Sequence, residues 1–242
     1  MARTPLTPLK ALLLAAGRGE RMRPLSDQTP KPLLKAGGRA LIEWQVLRLV
    51  QAGITDIVIN LAHLASAIQA ALGDGAALGA RIRYSIEGRC AQEALETLGG
   101  TVKALPLIDS GDTPFVIAAS DLYTAFDYRS LHTQAEAMVQ GRTDAHLILV
   151  DNPPYHPEGD LGLSPDGHVT LGAPKLTYAS IGLFSPRIFA HETAHKQRLF
   201  PWLHTHIAQG RVSGEHFAGL WHNVGTPNDL AQLEHALASK RA

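Results

Sequence analysis

The sequence predicts an α/β fold in which a mostly parallel sheet is flanked by helices. Strand-like apolar runs alternate with amphipathic helical patterns from residue 12 to residue 150, and this βαβα order is typical of a parallel sheet covered on both faces. A short apolar run at 11–16 passes directly into a loop with two glycines and several arginines. Open α/β proteins bind ligands where their strands end, so this loop is the first candidate site.

The predicted strands and helices up to residue 150 are as follows. In the predicted helix at 40–52, Leu41, Trp44 and Leu47 lie largely on one face, and Gly53 ends the helix. Strands are expected at 11–16, 56–61, 80–86, 115–119 and 145–150, and further helices at 62–72, 93–105 and 131–140.

The last third of the chain has a different pattern. A hairpin is expected at 160–171, because Pro165-Asp166-Gly167 is a typical turn sequence. It is followed by a predicted strand at 178–184, a helix at 197–209, short strands within 211–222, and a last helix that Thr226 caps and that runs to 237. No stretch has linker composition, so we expect one domain over 1–242, with one part at about 8–150 and a smaller β-rich part at about 151–242.

Composition and charge exclude several classes of function. The 22 Lys and Arg residues balance the 22 Asp and Glu residues, so the chain lacks the basic excess typical of nucleic-acid binding. No apolar run approaches the roughly 20 residues that span a bilayer, and the run at 11–16 is interpreted as a strand rather than a signal peptide. The single cysteine, Cys90, fits a reducing compartment. We expect a cytoplasmic protein with no nucleic-acid or membrane partner.

The most informative segment is Leu-Ala-Ala-Gly-Arg-Gly-Glu-Arg-Met-Arg-Pro-Leu at 14–25, which Thr-Pro-Lys-Pro follows at 29–32. Glycines permit positive φ and let backbone N–H groups approach an anion closely. Arg18, Arg21, Arg23 and Lys31 surround the loop with positive charge. The segment therefore predicts a phosphate-binding site at the carboxyl edge of the sheet.

This segment resembles the signature of the sugar-1-phosphate nucleotidylyltransferases, which transfer a nucleoside monophosphate from an NTP to a sugar phosphate and release pyrophosphate. The resemblance implies a single-domain, Rossmann-like nucleotidyltransferase fold, with an NTP-binding first part and a sugar-phosphate-binding last part. It implies that Arg21 and the loop backbone hold the β- and γ-phosphates and that Lys31 neutralises the α-phosphate. The nucleotide-binding residues implied here are Leu14, Ala15, Ala16, Gly17, Arg18, Gly19, Glu20, Arg21 and Lys31.

Two further segments resemble metal-binding motifs of the same family. Asp121 follows the apolar run at 115–119, and a carboxylate beside a triphosphate suits Mg²⁺. Trp221-His222-Asn223-Val224-Gly225-Thr226-Pro227 is similar to W-x-D-(V/I)-G-T-P, with Asn223 where the family normally has an aspartate. The resemblance therefore implies Mg²⁺ at Asp121 and Asn223, with Arg21, Lys31 and Asp121 as the catalytic residues. The alternative for Asp121 is a simple turn or cap residue.

The segment at 95–100 resembles the family's L-x-T-(A/G)-G-G stretch, which lies against the base and the ribose. Two glycines within a helical pattern cost roughly 1 kcal/mol each relative to alanine, which indicates that something flat must come close to them. The resemblance implies nucleotide contacts from Glu96, Thr97, Gly99 and Gly100.

Three weaker resemblances concern the sugar. The segments at 151–160, 177–182 and 212–221 are similar to the branch of the family that uridylylates N-acetylmuramic acid 1-phosphate. They imply sugar-phosphate contacts from Asn152, Gly159, Asp160, Thr177 and Ser180, with UTP as the second substrate. For the segment at 151–160, a rigid surface loop without a ligand is the competing interpretation.

Other functions remain open at this point. Mannose 1-phosphate with GTP, or glucose 1-phosphate with dTTP or UTP, are alternative substrates, and a catalytically silent nucleotide-binding regulator is an alternative of another class. His191-Glu192-Thr193-Ala194-His195 also matches the H-E-x-x-H pattern of zinc proteases, although 12 histidines make a chance match common. The oligomeric state is expected to be a monomer or a homodimer.

Overall fold

The structure is a computed structural model, and it describes residues 8–88 and 90–239. Its strands are β1 (Lys10–Leu14), β2 (Lys35–Ala36), β3 (Arg39–Ala40), β4 (Asp56–Leu61), β5 (Arg81–Ile86), β6 (Phe115–Ala119), β7 (Leu122–Thr124), β8 (Ala145–Val150), β9 (Leu161–Leu163), β10 (Val169–Thr170), β11 (Lys175–Phe184), β12 (Val212–His216) and β13 (Trp221–Asn223). Its α-helices are α1 (Leu25–Gln28), α2 (Leu41–Gln51), α3 (Ala65–Leu72), α4 (Glu96–Ile108), α5 (Ser130–Val139), α6 (Leu199–Ala208) and α7 (Pro227–Ala238).

A nine-stranded sheet forms the centre of the molecule. Strands β6, β1, β4 and β5 lie side by side and run parallel. Strand β11 pairs antiparallel with β6 and also with β8 and β9, and β12 runs parallel to β8 at the far side. The expected α/β fold with a mostly parallel central sheet and flanking helices is confirmed. The last third of the chain adds its strands to this same sheet, while the division near residue 150 stays a prediction.

The register of the central strands brings their carboxyl ends together. Leu14, the last residue of β1, lies opposite Asn60 of β4 and Ala119 of β6. The loops that follow these strands therefore leave the sheet at one edge, as expected for parallel strands. This edge carries the candidate site.

Helices cover both faces of the sheet because successive strand residues point to opposite sides. On one face, Leu13 and Ile59 pack in a core that includes residues of α2, α3 and α5. On the other, Leu12 and Val58 pack in a core that includes residues of α4 and α6. These side chains are fully or almost fully buried, and complete burial of one such side chain stabilises the fold by about 1.5–3 kcal/mol.

A third, smaller core connects the segment after β1 to the end of the chain. Met22, Leu41, Val224 and Leu233 are all fully buried in it. Thr226 caps α7 as expected: its Oγ1 accepts a hydrogen bond from Asp229 N, and Asp229 Oδ2 accepts one from Thr226 N. The cap and this core fix the 223–225 turn beside the segment that follows β1.

The observed elements differ from the expected ones mainly at their ends. Strand β1 ends at Leu14 instead of continuing to residue 16, and α4 runs from Glu96 to Ile108 instead of 93–105. None of the helices in the described ranges has the length and apolar character that crossing a membrane requires.

Candidate active site

The bend after β1 is shaped by its two glycines in different ways. Gly19 has φ 67° and ψ 44°, in the left-handed region, and a Cβ there would lie 2.9 Å from Cβ of Lys31. Ser26 Oγ donates a hydrogen bond to Gly19 O at 2.8 Å and holds the turn. A Cβ on Gly17 would meet no atom within 4 Å, so the backbone at Gly17 is open to a ligand.

A cavity of about 700 Å³ lies at the carboxyl edge of the sheet. It brings together most of the residues that the sequence analysis assigned to the nucleotide and the metal. Those that line it are residues 14–19, Lys31, Glu96, Thr97 and Asp121, together with Ser180 from the sugar-phosphate set. Their sequence separation shows that the fold, rather than local sequence, assembles the site.

Lys31 and Asp121 form an ion pair within this cavity. Nζ of Lys31 donates a hydrogen bond to Oδ2 of Asp121, and the two side chains are 12% and 25% exposed. Ser120 fixes the backbone before Asp121, since its N and Oγ both donate to Leu14 O, at 3.1 and 2.7 Å. The pair therefore occupies a defined place at the end of β6.

A buried network that the sequence analysis missed supports the bend. Ala15 N donates to Oδ1 of Asn60 at 2.7 Å, and Nδ2 of Asn60 donates to Oε1 of Glu87 at 2.5 Å. The other carboxylate oxygen of Glu87 accepts from Leu95 N at 2.6 Å. Burial raises the pKa of Glu87, against the opposing effect of these hydrogen bonds. The only sequence signal was a polar residue at the end of each of two neighbouring strands.

Gly99 and Gly100 do not line the cavity. A Cβ on Gly100 would lie 2.1 Å from Oε1 of Glu87, and one on Gly99 would lie 1.8 Å from the backbone oxygen of His195. Atoms of the protein itself therefore approach both glycines closely, and they can account for the cost of glycine at these positions. A direct contact of either glycine with a nucleotide stays a prediction.

A second cavity, also of about 700 Å³, lies beside the first. Arg21, Asn152 and Asn223 line it, whereas Asp121 lines the first cavity. The two metal candidates are nevertheless close in the fold, because Asn223 pairs with Leu122 in the β7–β13 ladder and Val224 N donates to Asp121 O at 3.1 Å. Glu20 is exposed and lines neither of these two cavities.

Tyr155 also lines the second cavity, near Arg21 and Asn223. Burial raises the pKa of the Tyr155 phenol, and the nearby carboxylate of Asp229 raises it further, while Arg21 and a hydrogen bond with Asn223 act in the opposite direction. The phenol is therefore neutral at physiological pH. Tyr155 is not among the site residues expected from the sequence.

Most of the residues expected to contact the sugar phosphate make hydrogen bonds or close contacts within the protein. Nδ2 of Asn152 donates to Lys175 O at 2.9 Å, and its Oδ1 accepts from Oγ1 of Thr177 at 2.9 Å. Gly159 has φ 62°, and a Cβ there would lie 2.7 Å from Oδ1 of Asn152. Asp160 accepts hydrogen bonds from Tyr178 N at 2.8 Å through its Oδ2. These contacts anchor the 151–160 loop to β11.

Ser180 differs from the other members of that set because it lines the first cavity. It has φ 56°, a left-handed conformation that costs energy in a residue other than glycine. It lies where the register between β11 and β8 shifts, between Tyr178 and Gly182. The bulge places the Ser180 backbone at the cavity wall.

The H-E-x-x-H match does not form a zinc helix. None of residues 191–195 is helical, and α6 begins only at Leu199. Glu192 accepts a hydrogen bond from Nε1 of Trp202 at 2.8 Å. In the described ranges no group of three or more His, Cys, Asp or Glu side chains is arranged to hold a metal ion. The helical geometry that the zinc-protease alternative requires is absent at this segment.

The chain is similar to known nucleotidyltransferases. The family model described as "Nucleotidyl transferase" matches residues 10–162. The chain is 46% identical to an N-acetylmuramate alpha-1-phosphate uridylyltransferase of Neisseria meningitidis serogroup B, over 93% of this chain and 97% of that protein. It is 34% identical to a protein of the same name from Caulobacter vibrioides, over 96% and 98% of the two chains. A mannose-1-phosphate guanyltransferase of Aspergillus fumigatus is 29% identical, over 92% of this chain and 62% of that one.

The fold is also similar to solved structures. HddC from Yersinia pseudotuberculosis, complexed with GMP-PN, superposes with a TM-score of 0.76 and 19% identity, covering 94% of this chain and 99% of that chain. Enzymes of this family generally use a divalent metal ion, and a nucleoside triphosphate and a sugar phosphate are the substrates consistent with it. On the extent of these matches, the chain belongs to the nucleotidyl transferase family and is a nucleotidyltransferase.

Proposed function

We propose that the protein transfers the uridylyl group of UTP to N-acetylmuramate α-1-phosphate and releases pyrophosphate, with Mg²⁺ as the metal ion. The choice of sugar and base is supported by the two relatives of that name, one of them 46% identical over almost the whole of both chains. The product would be a UDP-sugar formed in peptidoglycan sugar recycling in the cytoplasm, by a monomer or a homodimer.

One observation carries the proposal. The glycine-containing bend, Lys31 and Asp121 meet at the edge where β1 and β6 end, in a single cavity. Backbone N–H groups, a cation and a carboxylate are the three kinds of group that a metal-bound triphosphate requires. A surface turn without a ligand would not need these groups to converge.

The residues present fit Mg²⁺ rather than a metal that needs a complete protein cage. Mg²⁺ keeps several waters and is commonly held by one or two carboxylates together with substrate phosphates. Asp121 would supply the carboxylate, and Asn223 an uncharged amide oxygen on the neighbouring strand. When bound, the ion supplies positive charge against the phosphate oxygens.

The proposed reaction requires the protein to align the two substrates and to neutralise the charge on their phosphates. It does not require the protein to transfer a proton. An anionic phosphate oxygen of the sugar 1-phosphate forms a bond to the α-phosphorus of UTP, while the bond from that phosphorus to the bridging oxygen of pyrophosphate breaks. Lys31 would neutralise charge on the α-phosphate. The amides of the bend and Arg21 would hold the departing pyrophosphate.

Arg21 lines the second cavity and not the first. A Cβ on Gly225 would lie 3.3 Å from Nη2 of Arg21, so the guanidinium lies against the 223–225 turn. From there it can serve a phosphate that extends from the bend toward Asn223.

The proposal is tested by measuring pyrophosphate release with UTP, GTP, dTTP and ATP against N-acetylmuramate, N-acetylglucosamine, mannose and glucose 1-phosphates. We expect the highest kcat/KM for UTP with N-acetylmuramate α-1-phosphate. A preference for GTP with mannose 1-phosphate, or for a glucose 1-phosphate, would replace the proposed substrates. Nucleotide binding without pyrophosphate release from any pair would identify a silent regulator instead.

A further inference from the structure

The first cavity contains a cation that the reaction described above does not use. Among the described residues that line it, the cationic side chains are Arg18, Lys31 and Arg198. Arg18 belongs to the phosphate-binding bend, and Lys31 is paired with Asp121. Arg198 comes from a distant part of the chain, directly before α6, where Leu199 and Phe200 also line the cavity.

The backbone that carries Arg198 is firmly anchored. Gln197 N donates to Leu95 O at 2.9 Å, and Gln197 O accepts from Leu98 N at 3.0 Å and from Gly99 N at 3.2 Å. Gly99 makes this contact sterically possible, since any Cβ there would collide with the backbone oxygen of His195. The start of α4 therefore holds the base of the Arg198 side chain at a defined position on the cavity wall.

The guanidinium itself is nearly free. The Arg198 side chain is 79% exposed, and its Nε lies 4.0 Å from Oε2 of Glu96, at the outer limit of an ion pair. Exposed pairs of this kind contribute about 0–1 kcal/mol, so a ligand carboxylate can compete for the guanidinium at little cost. A fixed backbone with an available planar fork of N–H donors suits the recognition of a carboxylate.

We propose that Arg198 determines specificity for the sugar by binding the lactyl carboxylate of N-acetylmuramate. The inference rests on the proposed function. N-acetylmuramate is N-acetylglucosamine that carries a lactyl ether, and this ether adds one negative charge to the sugar. In the proposed reaction the bend, Arg21 and Lys31 bind the phosphates of the two substrates. Arg198 is then the cation lining the first cavity that remains available for the additional negative charge.

The test compares two acceptors that differ only in the lactyl group. Steady-state pyrophosphate release is measured for the wild type, Arg198→Ala, Arg198→Lys and Arg198→Glu, with N-acetylmuramate α-1-phosphate and with N-acetylglucosamine α-1-phosphate. Lys196→Ala is the matched control, because Lys196 is an exposed cation two residues away that does not line either cavity. Thermal melting confirms that each variant is folded.

We expect Arg198→Ala to lower kcat/KM for N-acetylmuramate α-1-phosphate by about 10- to 100-fold. This is the range expected when the charge-assisted hydrogen bonds between one arginine and one carboxylate are lost. Its kcat/KM for N-acetylglucosamine α-1-phosphate and its KM for UTP should stay within roughly threefold of the wild type, since neither substrate presents the carboxylate. The loss should be smaller for Arg198→Lys and larger for Arg198→Glu, and Lys196→Ala should behave as the wild type.

Two results would overturn the assignment while leaving the proposed function intact. One is an equal loss on both acceptors, which would place Arg198 in nucleotide binding or in the structure of the wall. The other is an unchanged ratio of the two kcat/KM values in every Arg198 variant. If the wild type releases pyrophosphate with neither acceptor, the proposed function itself fails, and the inference fails with it.

Discussion

Nζ of Lys31 donates a hydrogen bond to Oδ2 of Asp121, although 90 residues separate the two in the sequence. Both side chains are largely buried in the cavity at the end of β1 and β6. In the proposed reaction these same groups have different partners: Lys31 contacts the α-phosphate, and Asp121 contacts the metal ion. In that reaction, binding of the substrate and the metal ion would have to break this ion pair.

We expect Lys31→Ala to lower kcat by about 100-fold or more, with a smaller change in the KM for UTP, because charge neutralisation matters most in the transition state. Steady-state kinetics with varied UTP measures both constants. Lys35→Ala is the control, since Lys35 is an exposed lysine on β2 four residues away. Equal losses in the two variants would contradict the role given to Lys31.

We expect Asp121→Asn to abolish the metal-dependent activity and to leave the circular dichroism spectrum unchanged. The substitution keeps the size of the side chain but removes the charge that a hard cation requires. Activity is measured across a range of Mg²⁺ concentrations, with Asp112→Asn, at an exposed site before β6, as the control. Activity retained by Asp121→Asn at any Mg²⁺ concentration would exclude Asp121 as a metal ligand.

Asn223→Ala should reduce activity by less than about tenfold, far less than Asp121→Asn, if the ion is held mainly by one carboxylate and by phosphates. Asn223→Asp should lower the Mg²⁺ concentration needed for half-maximal activity, because it adds a charge beside Asp121. Mg²⁺ titrations of the two variants measure this. A loss in Asn223→Ala as large as that in Asp121→Asn would show that the amide is an essential ligand.

The Asn60–Glu87 network should matter for stability as well as for the shape of the bend. Asn60→Asp keeps the acceptor for Ala15 N but sets a second carboxylate against Glu87, whose pKa burial already raises. We expect the free energy of unfolding at pH 7 to fall by about 2–4 kcal/mol relative to the wild type. A carboxyl group with a raised pKa in the folded state penalises folding at high pH, so this deficit should shrink as the pH falls toward 4.

Urea unfolding of both proteins at several pH values measures this difference. A deficit that is independent of pH would show that the two carboxyl groups do not interact.

Asp144 provides a second test of stability, because its pKa is shifted in the opposite direction to that of Glu87. Although burial opposes ionisation, hydrogen bonds from Arg211 and Arg187, at 2.8 and 2.5 Å, hold the pKa of Asp144 below its usual value. A lowered pKa means that the stabilisation is present above the pKa of the unfolded chain and is lost as the pH falls through the folded value. We expect Asp144→Asn to destabilise the fold by about 1–3 kcal/mol at pH 7.

That difference from the wild type should decrease below about pH 4, where the carboxyl group of the unfolded chain takes up its proton. Urea unfolding of both proteins, at pH values above and below this point, measures the decrease. A difference that grows on acidification would contradict the lowered pKa.

Much of the central sheet could be predicted from the sequence because its strands are strongly apolar and buried on both faces. The strands at 56–61, 115–119 and 145–150 agree with the structure to the residue. The cap of α7 could also be predicted, since Thr226 and Asp229 interact within one turn. Local patterns do not show which strand pairs with which, and the antiparallel insertion of β11 between β6 and β8 appears only in the structure.

Some residues of the candidate site could likewise be predicted from the sequence, and others could not. The bend, Lys31 and Asp121 could be predicted because a long motif carries a resemblance to a family with a known reaction. Asn60 and Glu87 were missed, because their contacts join residues that are distant in the sequence. The sequence could not show that Glu87 and the backbone at His195 pack directly against Gly100 and Gly99, because these contacts join segments that are distant in the sequence.

The most direct measurement is a crystal structure of the protein with UTP and Mg²⁺. We expect the triphosphate to lie against the backbone of residues 15–19, with Lys31 on the α-phosphate and Asp121 bound to the metal ion instead of to Lys31. A structure in which UTP binds elsewhere, or in which the Lys31–Asp121 ion pair persists beside an unoccupied bend, would contradict it.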